Sequence, residues 1–413
     1  MRLLFFLLLL TCPPLLLSET FEITDSNGSE ITVEVMPSEG DVLIIWLVDH
    51  DEHRAAFESL LQAVNKKGFE IWRVDLLDAY FLPRSSETIR NLPGDGVASL
   101  IDAAHKMSHK KVLVAAYDRM PLPLLRGTQQ WQQKATESRL IGAVLFYPNL
   151  FGPPPVAGKP PEIDPILHAT NIPVAIYQPA LGSQRWRLNQ IMQPLWKGGA
   201  PAYAYIVPGV RDWFFMGEGD HGPREEAATS QLPEQMLRFS ALLDRHPKPR
   251  SAKPLVERAM PEGAIRTLVR LNPPEPIQDF SLRDIEMKPF TLTDLNHEVV
   301  LLNFWATWCP PCVEELPSLN QLQQRYKDSE VRIVSIDFRE QPEEMAKFLE
   351  STPVDFPVLM DIDGRVSLDW QVFSFPSSFI IDRRGQIRYT ANRAIDWDSP
   401  EVWQVIDELL SER

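Results

Sequence analysis

Two kinds of apolar pattern alternate along the first half of this chain. "DVLIIWLVD" (41–49) is a short unbroken apolar run and predicts a buried strand. The stretch after it, "EHRAAFESLLQAVNKKG" (52–68), spaces its apolar residues at helical intervals and stops at Gly68. "FEIWRVDL" and "KVLVAAY" predict further strands, with the helix "GVASLIDAAHKMSHK" between them. "LIGAVLFYP", "IPVAIYQP" and "AYAYIVPG" follow as three more strands. Short buried runs that alternate with helices imply an α/β fold, a mostly parallel sheet covered on both faces.

The pattern then breaks. Residues 246–274, "HPKPRSAKPLVERAMPEGAIRTLVRLNPP", are rich in proline and basic residues and read as a connection. A second α/β unit opens after it and runs to the end. At 413 residues two domains are the natural expectation. The organisation expected is a leader over 1–18, a domain over 19–245, the Pro-rich linker 246–274 and a second domain over 275–413. The leader, "MRLLFFLLLLTCPPLLLS", has one positive charge and a Pro-broken apolar run, which fits a secretory signal peptide with Ser18 at the cleavage point. Cys12 inside it raises a lipid tether as an alternative. No other stretch is long enough to span a bilayer, so no integral membrane domain is expected.

Charge narrows the partners. The net charge is −15, which argues against nucleic acid or an anionic membrane surface. From Glu275 onward the chain holds 26 acidic and 13 basic residues, so the excess sits in the second unit.

Secretion sharpens the meaning of the cysteines. An oxidising compartment normally fills a chain with structural disulfides. Here only Cys309 and Cys312 remain after the leader, in "NFWATWCPPCVEELPSL" (303–319). A zinc site needs about four ligands, and no second cysteine pair or His-x-x-x-His completes one. The spacing therefore reads as a redox pair at the start of a helix, where unpaired N–H groups and the dipole favour a thiolate. Cys309 is the expected exposed nucleophile and Cys312 the resolving thiol. Pro317 should bend the helix. Two other polar clusters, His50, Asp51 and His53, and Asp220 with His221, read as loop residues, so no metal is expected.

The motifs "FSLRD…LTDL", "LLNFWATWCPPC", "EELPSL", "FPVLMDIDG" and "FPSSFIIDRRGQI" together resemble the thioredoxin superfamily, in its TlpA/ResA-like branch of secreted thiol–disulfide oxidoreductases. The resemblance covers about residues 275–413 and implies a thioredoxin-like fold. It implies a cis-proline at Pro376, after Phe375, beside the redox pair. Trp308, Phe375 and Pro376 become the candidate substrate contacts. Glu315 matches an acidic residue near the thiols and is the candidate for proton transfer. Asn303 stands where thioredoxin itself has a buried aspartate.

The first domain resembles, at the level of strand and helix order, a shortened α/β-hydrolase. A working nucleophile elbow reads Gly-x-Ser-x-Gly. Aligned here, the five positions are Ala115, Ala116, Tyr117, Asp118 and Arg119, with Tyr117 in place of the nucleophile. No Asp or Glu lies between Ile172 and Pro208, and Arg211 and Asp212 occupy the region of the histidine. The triad is vacant, so no hydrolase activity is expected and the domain reads as a scaffold.

The expected function is a periplasmic or otherwise secreted thiol–disulfide oxidoreductase acting on disulfides of partner proteins. No flavin motif or dinucleotide loop is present, so no cofactor is expected. The resemblance implies a membrane thiol-reductant relay as electron donor. A binding protein whose hydrolase-like domain captures a ligand, with the thioredoxin-like part as docking module, is the alternative. The electrons are expected to leave the pair. Pro310 and Pro311 remove two N–H groups that would hold a thiolate, and Glu314 and Glu315 lie close behind.

Overall fold

The computed structural model describes residues 19–49, 55–152, 156–216, 222–249, 251–256 and 268–412. The leader with Cys12 and Ser18, the cluster His50, Asp51 and His53, and the pair Asp220 and His221 lie outside the described residues. Among the described residues, no helix is long and apolar enough to cross a membrane. The chain divides into two compact units. One comprises the chain up to Pro148 with His168–Ala180 and Pro194–Pro254; the other comprises Asn149–Leu167, Leu181–Gln193 and Leu255–Arg413.

In the first unit eight strands form one sheet: β1 (Glu19–Thr24), β2 (Glu30–Met36), β3 (Val42–Val48), β4 (Phe69–Asp75), β5 (Lys111–Tyr117), β6 (Leu140–Phe146), β7 (Val174–Pro179) and β8 (Ala202–Val207). Their spatial order is β1-β2-β4-β3-β5-β6-β7-β8. β1 and β2 make an antiparallel hairpin, and β2 pairs antiparallel with β4. From β4 to β8 every pairing is parallel. The hairpin turn is set by Asp25, whose Oδ1 accepts from the amides of Asn27 and Ser29, and by Gly28 at φ 86°.

Strand β3 is buried along its whole length because helices cover both faces of the sheet. The helix Ala55–Asn65 turns Phe57, Leu60, Leu61 and Val64 inward, where Phe57 meets Trp46 edge-on at 5.9 Å. Two further helices, Asp95–Met107 and Pro121–Lys134, cross where neither can carry a side chain. A Cβ on Gly94 would lie 2.3 Å from the Gly127 nitrogen, and one on Gly127 would lie 2.3 Å from the Gly94 oxygen.

The second unit also has an eight-stranded sheet: β9 (Val269–Pro276), β10 (Ser281–Asp284), β11 (Pro289–Thr291), β12 (Val299–Trp305), β13 (Val331–Phe338), β14 (Val358–Asp361), β15 (Ser377–Ile381) and β16 (Gln386–Ala391). The order is β11-β10-β14-β13-β12-β15-β16-β9. β12 lies inside, parallel to β13 and antiparallel to β15. Strand β9 begins inside the Pro-rich stretch 246–274. Pro273 and Pro274 are tolerated there because β9 is an edge strand, paired only with β16. One core lies under the helices Pro310–Arg325 and Pro400–Ser411; the other gathers Phe280, Phe304, Trp370 and Phe379 and takes in Ala157 from the first inserted segment.

The Gly94–Gly127 crossing yields a prediction. Gly94→Ala puts a methyl into a backbone atom that no rotamer change can clear, so it should destabilise the first unit by about 1–3 kcal/mol. Urea unfolding followed by tryptophan fluorescence measures it, and unchanged stability would mean the helices separate at no cost.

Candidate redox site

The site begins with a fully buried strand. All seven residues of β12 are out of solvent, and the chain leaves the sheet at Ala306 to enter the helix Pro310–Arg325. Cys309 is the N-cap residue of that helix, and Pro310 and Pro311 occupy its first turn. Proline at these positions loses no helical hydrogen bond. The first amides available, those of Cys312 and Val313, both donate to the Cys309 carbonyl, at 2.9 and 3.2 Å. Cys309 and Cys312 are joined as a disulfide, with their Cα atoms 5.3 Å apart. The helix continues through Pro317 to Arg325.

The exposure of the pair corrects one expectation. Cys312 is completely buried, as its place in the helix demands, but Cys309 is only 6% exposed rather than open to solvent. It packs in the same apolar core as Trp305 and Leu316. The loop before it is held down by Glu340, a buried residue just after β13. Its carboxylate accepts from the Thr307 amide at 2.7 Å and the Thr307 hydroxyl at 2.6 Å. Sequence reasoning missed Glu340; its only signal was an acid in "DFREQ" just after the apolar run "VRIVSI".

The same helix, past Cys312, carries a buried polar network. Glu315 is 3% exposed. Its carboxylate accepts from Asn303 Nδ2 at 2.8 Å, Trp397 Nε1 at 3.0 Å and the Ile395 amide at 3.4 Å. Asn303 also donates to the Ser378 hydroxyl at 3.0 Å. Burial pushes the Glu315 carboxyl up to about 7, against the pull of the Trp397, Asn303 and Ile395 donors. So a buried acid side chain follows Cys312 by three residues, carried by the helix rather than by the strand.

The rim is aromatic. The Phe375–Pro376 bond is cis. It immediately precedes β15, whose Ser377 pairs with Phe304, so Pro376 falls at the level where β12 ends. Pro376 is buried and Phe375 half-buried. Trp308 is 38% exposed and meets Phe375 edge-on at 5.8 Å, while Phe338 lies 4.9 Å from Phe375. Trp305, by contrast, is a core residue. The structure therefore brings Cys309, Cys312, Glu315, Trp308, Phe375 and Pro376 into one site. No cluster of three or more His, Cys, Asp or Glu side chains able to hold a metal occurs among the described residues.

The first unit departs from the expected elbow by one residue. Tyr117 is the last residue of β5, and its hydroxyl accepts from the Asp49 amide at 3.2 Å. The left-handed position of the strand–turn–helix is Asp118, at φ 49°. A buried strand end needs an inward aromatic, so the turn begins only after Tyr117. Asp118 is ion-paired with Arg119 at 2.8 Å.

Comparison with known proteins concerns the second unit. Residues 273–390 match the AhpC/TSA family. The thiol–disulfide oxidoreductase ResA of Bacillus anthracis is 36% identical over 109 residues, 26% of this chain and 63% of the relative. The thioredoxin-like protein YneN of Bacillus subtilis (strain 168) is 35% identical over 113 residues, 27% of this chain and 65% of that protein. The chain thus spans a little under two thirds of the length of these relatives. Among solved structures, a thiol:disulfide interchange protein of the thioredoxin family from Chlorobium tepidum TLS is 25% identical, with a TM-score of 0.29, covering 33% of this chain and 97% of that one. With its Cys-Pro-Pro-Cys helix cap and cis-proline, the C-terminal part of this chain is similar to the ResA-like thiol–disulfide oxidoreductases over residues that match the AhpC/TSA family.

Proposed function

We propose that this protein is an extracytoplasmic thiol–disulfide oxidoreductase that reduces disulfides of partner proteins. The observation that carries the reading is the Cys309–Cys312 pair at a helix cap, near the cis Phe375–Pro376 bond and on the same helix as a buried carboxyl with a pKa of about 7. In the reduced form the Cys309 thiolate attacks one sulfur of a partner disulfide. A Cys309–partner disulfide forms and the partner's other sulfur leaves as a thiolate, which takes up a proton. Cys312 then gives up its proton, with Glu315 as the acceptor close by on the same helix, and attacks Cys309. The second partner thiolate leaves, and two electrons have passed from the pair to the partner. A dithiol donor returns the electrons; a membrane thiol-reductant relay fits a secreted chain with no cofactor motif.

The direction of flow follows from the local amides and charges. An oxidant needs its thiolate form stabilised by donors. Here two first-turn amides are replaced by proline and the next two are spent on the Cys309 carbonyl. Glu314 adds negative potential behind the pair, and Glu315 joins it as it ionises around pH 7. The site should favour the disulfide and act as a reductant.

Two predictions come from this reading. The potential, measured by equilibration with glutathione buffers, should lie near thioredoxin's, about −270 mV; a value above about −170 mV would reverse the direction. In the same assays Cys309→Ser should abolish exchange, while Cys312→Ser should accumulate a mixed disulfide with its partner. Labelling of Cys312 before Cys309 by an alkylating agent at mildly acidic pH would overturn the assignment.

Glu315 adds a pH signature. Its folded pKa of about 7 lies above the ordinary 4.5, so the folded chain binds this proton more tightly than the unfolded chain. Stability must therefore fall as pH rises from about 4.5 to about 7, by up to about 3 kcal/mol, and stay lowered above that. Glu315→Gln should flatten this component. Urea unfolding of both oxidised proteins at pH 4.5 and pH 7.5 tests it, and parallel pH profiles would show that the carboxyl does not titrate in this range.

A further inference from the structure

The group that completes the Glu315 network comes from the far end of the chain. Between β16 and the helix Pro400–Ser411 runs a stretch that carries Ile395 and Trp397. It is fastened to the helix Pro310–Arg325 at Glu315 and Ser318. The Ile395 amide donates to Glu315 Oε2 at 3.4 Å, and the Trp397 indole donates to the same oxygen at 3.0 Å. The Trp397 amide donates to Ser318 Oγ at 3.1 Å, and the Ser318 hydroxyl donates in turn to the Glu315 carbonyl at 2.8 Å. Trp397 is thus held at both its backbone and its ring, and it is 0% exposed. Cys312, Glu315 and Ser318 follow at steps of three. They share one face of the helix, where such neighbours have Cβ atoms about 5–6 Å apart.

The Glu315 carboxylate faces donors alone. An indole N–H and a backbone N–H cannot accept a carboxyl proton, and the Asn303 group at Oε1 is its Nδ2, also a donor. All three favour the ionised form, against burial, which favours the acid. They are not equal. Asn303 Nδ2 is shared with Ser378 and the Ile395 contact is long, whereas the Trp397 N–H is spent on Glu315. Other titratable groups around it leave this balance in place. Cys309 and Cys312 precede Glu315 on its helix, and Glu314 beside it is exposed, as are Arg393 and Asp396. Asp398 accepts from the Trp403 indole at 3.0 Å, and Tyr389 lies in the apolar core with Trp397. β12 and β15 bring Asn303 and Ser378 and no charged residue.

We infer that Trp397 is a positioning residue for the resolving step, its indole N–H holding Glu315 in the ionised form that takes the Cys312 proton. This deepens the reductase reading and rests on its assignment of Glu315 as proton acceptor. In that step the Cys312 proton passes to a Glu315 oxygen and the Cys312 thiolate attacks the Cys309 sulfur. The Cys309–partner S–S bond breaks, and its electron pair leaves with the partner sulfur. A carboxyl that already carries its proton cannot take another. With its donors in place Glu315 is about half ionised at pH 7. A hydrogen bond to a charged group moves such a balance by about one pH unit or more, so without the indole N–H roughly a tenth would be ionised.

The test uses the full-length protein and two variants that remove the N–H but keep a ring. One is Trp397→Phe. The other carries 3-benzothienylalanine at position 397, which keeps the indole shape with sulfur in place of the N–H and serves if the smaller ring unfolds the domain. In the oxidised proteins, whose cysteines do not titrate, the Glu315 carboxyl carbon is followed by NMR against pH and assigned by its loss in Glu315→Gln. Its midpoint should rise by at least about one pH unit without the N–H. The reduced proteins are then mixed with one equivalent of dithiobis(nitrobenzoic acid). Attack by Cys309 releases one coloured thiolate and resolution by Cys312 the second. At pH 7 the ratio of second-phase to first-phase rate should fall about fivefold, and it should recover as pH passes the raised midpoint. An unmoved midpoint, or a raised midpoint with an unmoved ratio, would overturn the role of Trp397 and leave the reductase in place. Absence of both coloured phases from the unsubstituted protein would overturn the reductase reading itself, and the resolving role of Trp397 with it.

Discussion

A carboxyl group cannot be buried cheaply, and the redox site is arranged around one that is. An ionised carboxylate moved out of water loses several kcal/mol of solvation unless donors replace the water. Glu315 receives three: Asn303 from β12, the Trp397 indole and the Ile395 amide. These come from a central strand and from the stretch that precedes the last helix, so the group can exist only once distant parts of the domain are in register. Half a network would be worse than none, because the Asn303 amide and the Trp397 N–H would then lose their own partners. The depth of the Cys309–Cys312 helix against the sheet is thereby tied to the packing of Trp397, a fully buried side chain.

The strands that were legible in the sequence are the ones whose burial is complete. β3, β5 and β12 read directly because runs such as "VLIIWLV" and "VVLLNFW" have no polar face to hide their period. The redox helix was legible for a different reason: two prolines in its first turn announce a helix start wherever they follow a strand. The hairpin of β1 and β2 carries weaker information. "ETFEIT" and "EITVEVM" alternate, but with one face towards solvent their signal is half as strong. The helix Pro121–Lys134 was hidden by its own composition, since "PLPLLRGTQQWQQK" buries Gln129 and Gln132 together with its leucines. Residues such as Glu340 and Trp397 were illegible on principle. Their meaning lies in Thr307 and in Glu315, and sequence spacing says nothing about either.

The first unit collects backbone strain at the carboxyl ends of its parallel strands. Asp118, Tyr147 and Trp213 all have positive φ, at 49°, 35° and 65°, and none is glycine. Two of them follow the carboxyl ends of β5 and β6, the third the end of β8. Such backbone costs of order 1–3 kcal/mol per residue and persists only where packing over-determines it. The packing here is aromatic: the Tyr117, Tyr147 and Trp213 rings lie 5.4 to 6.4 Å apart. A glycine elbow keeps its shape through freedom from side chains. The turn after β5 keeps its shape through three rings packed together, so it needs no glycine.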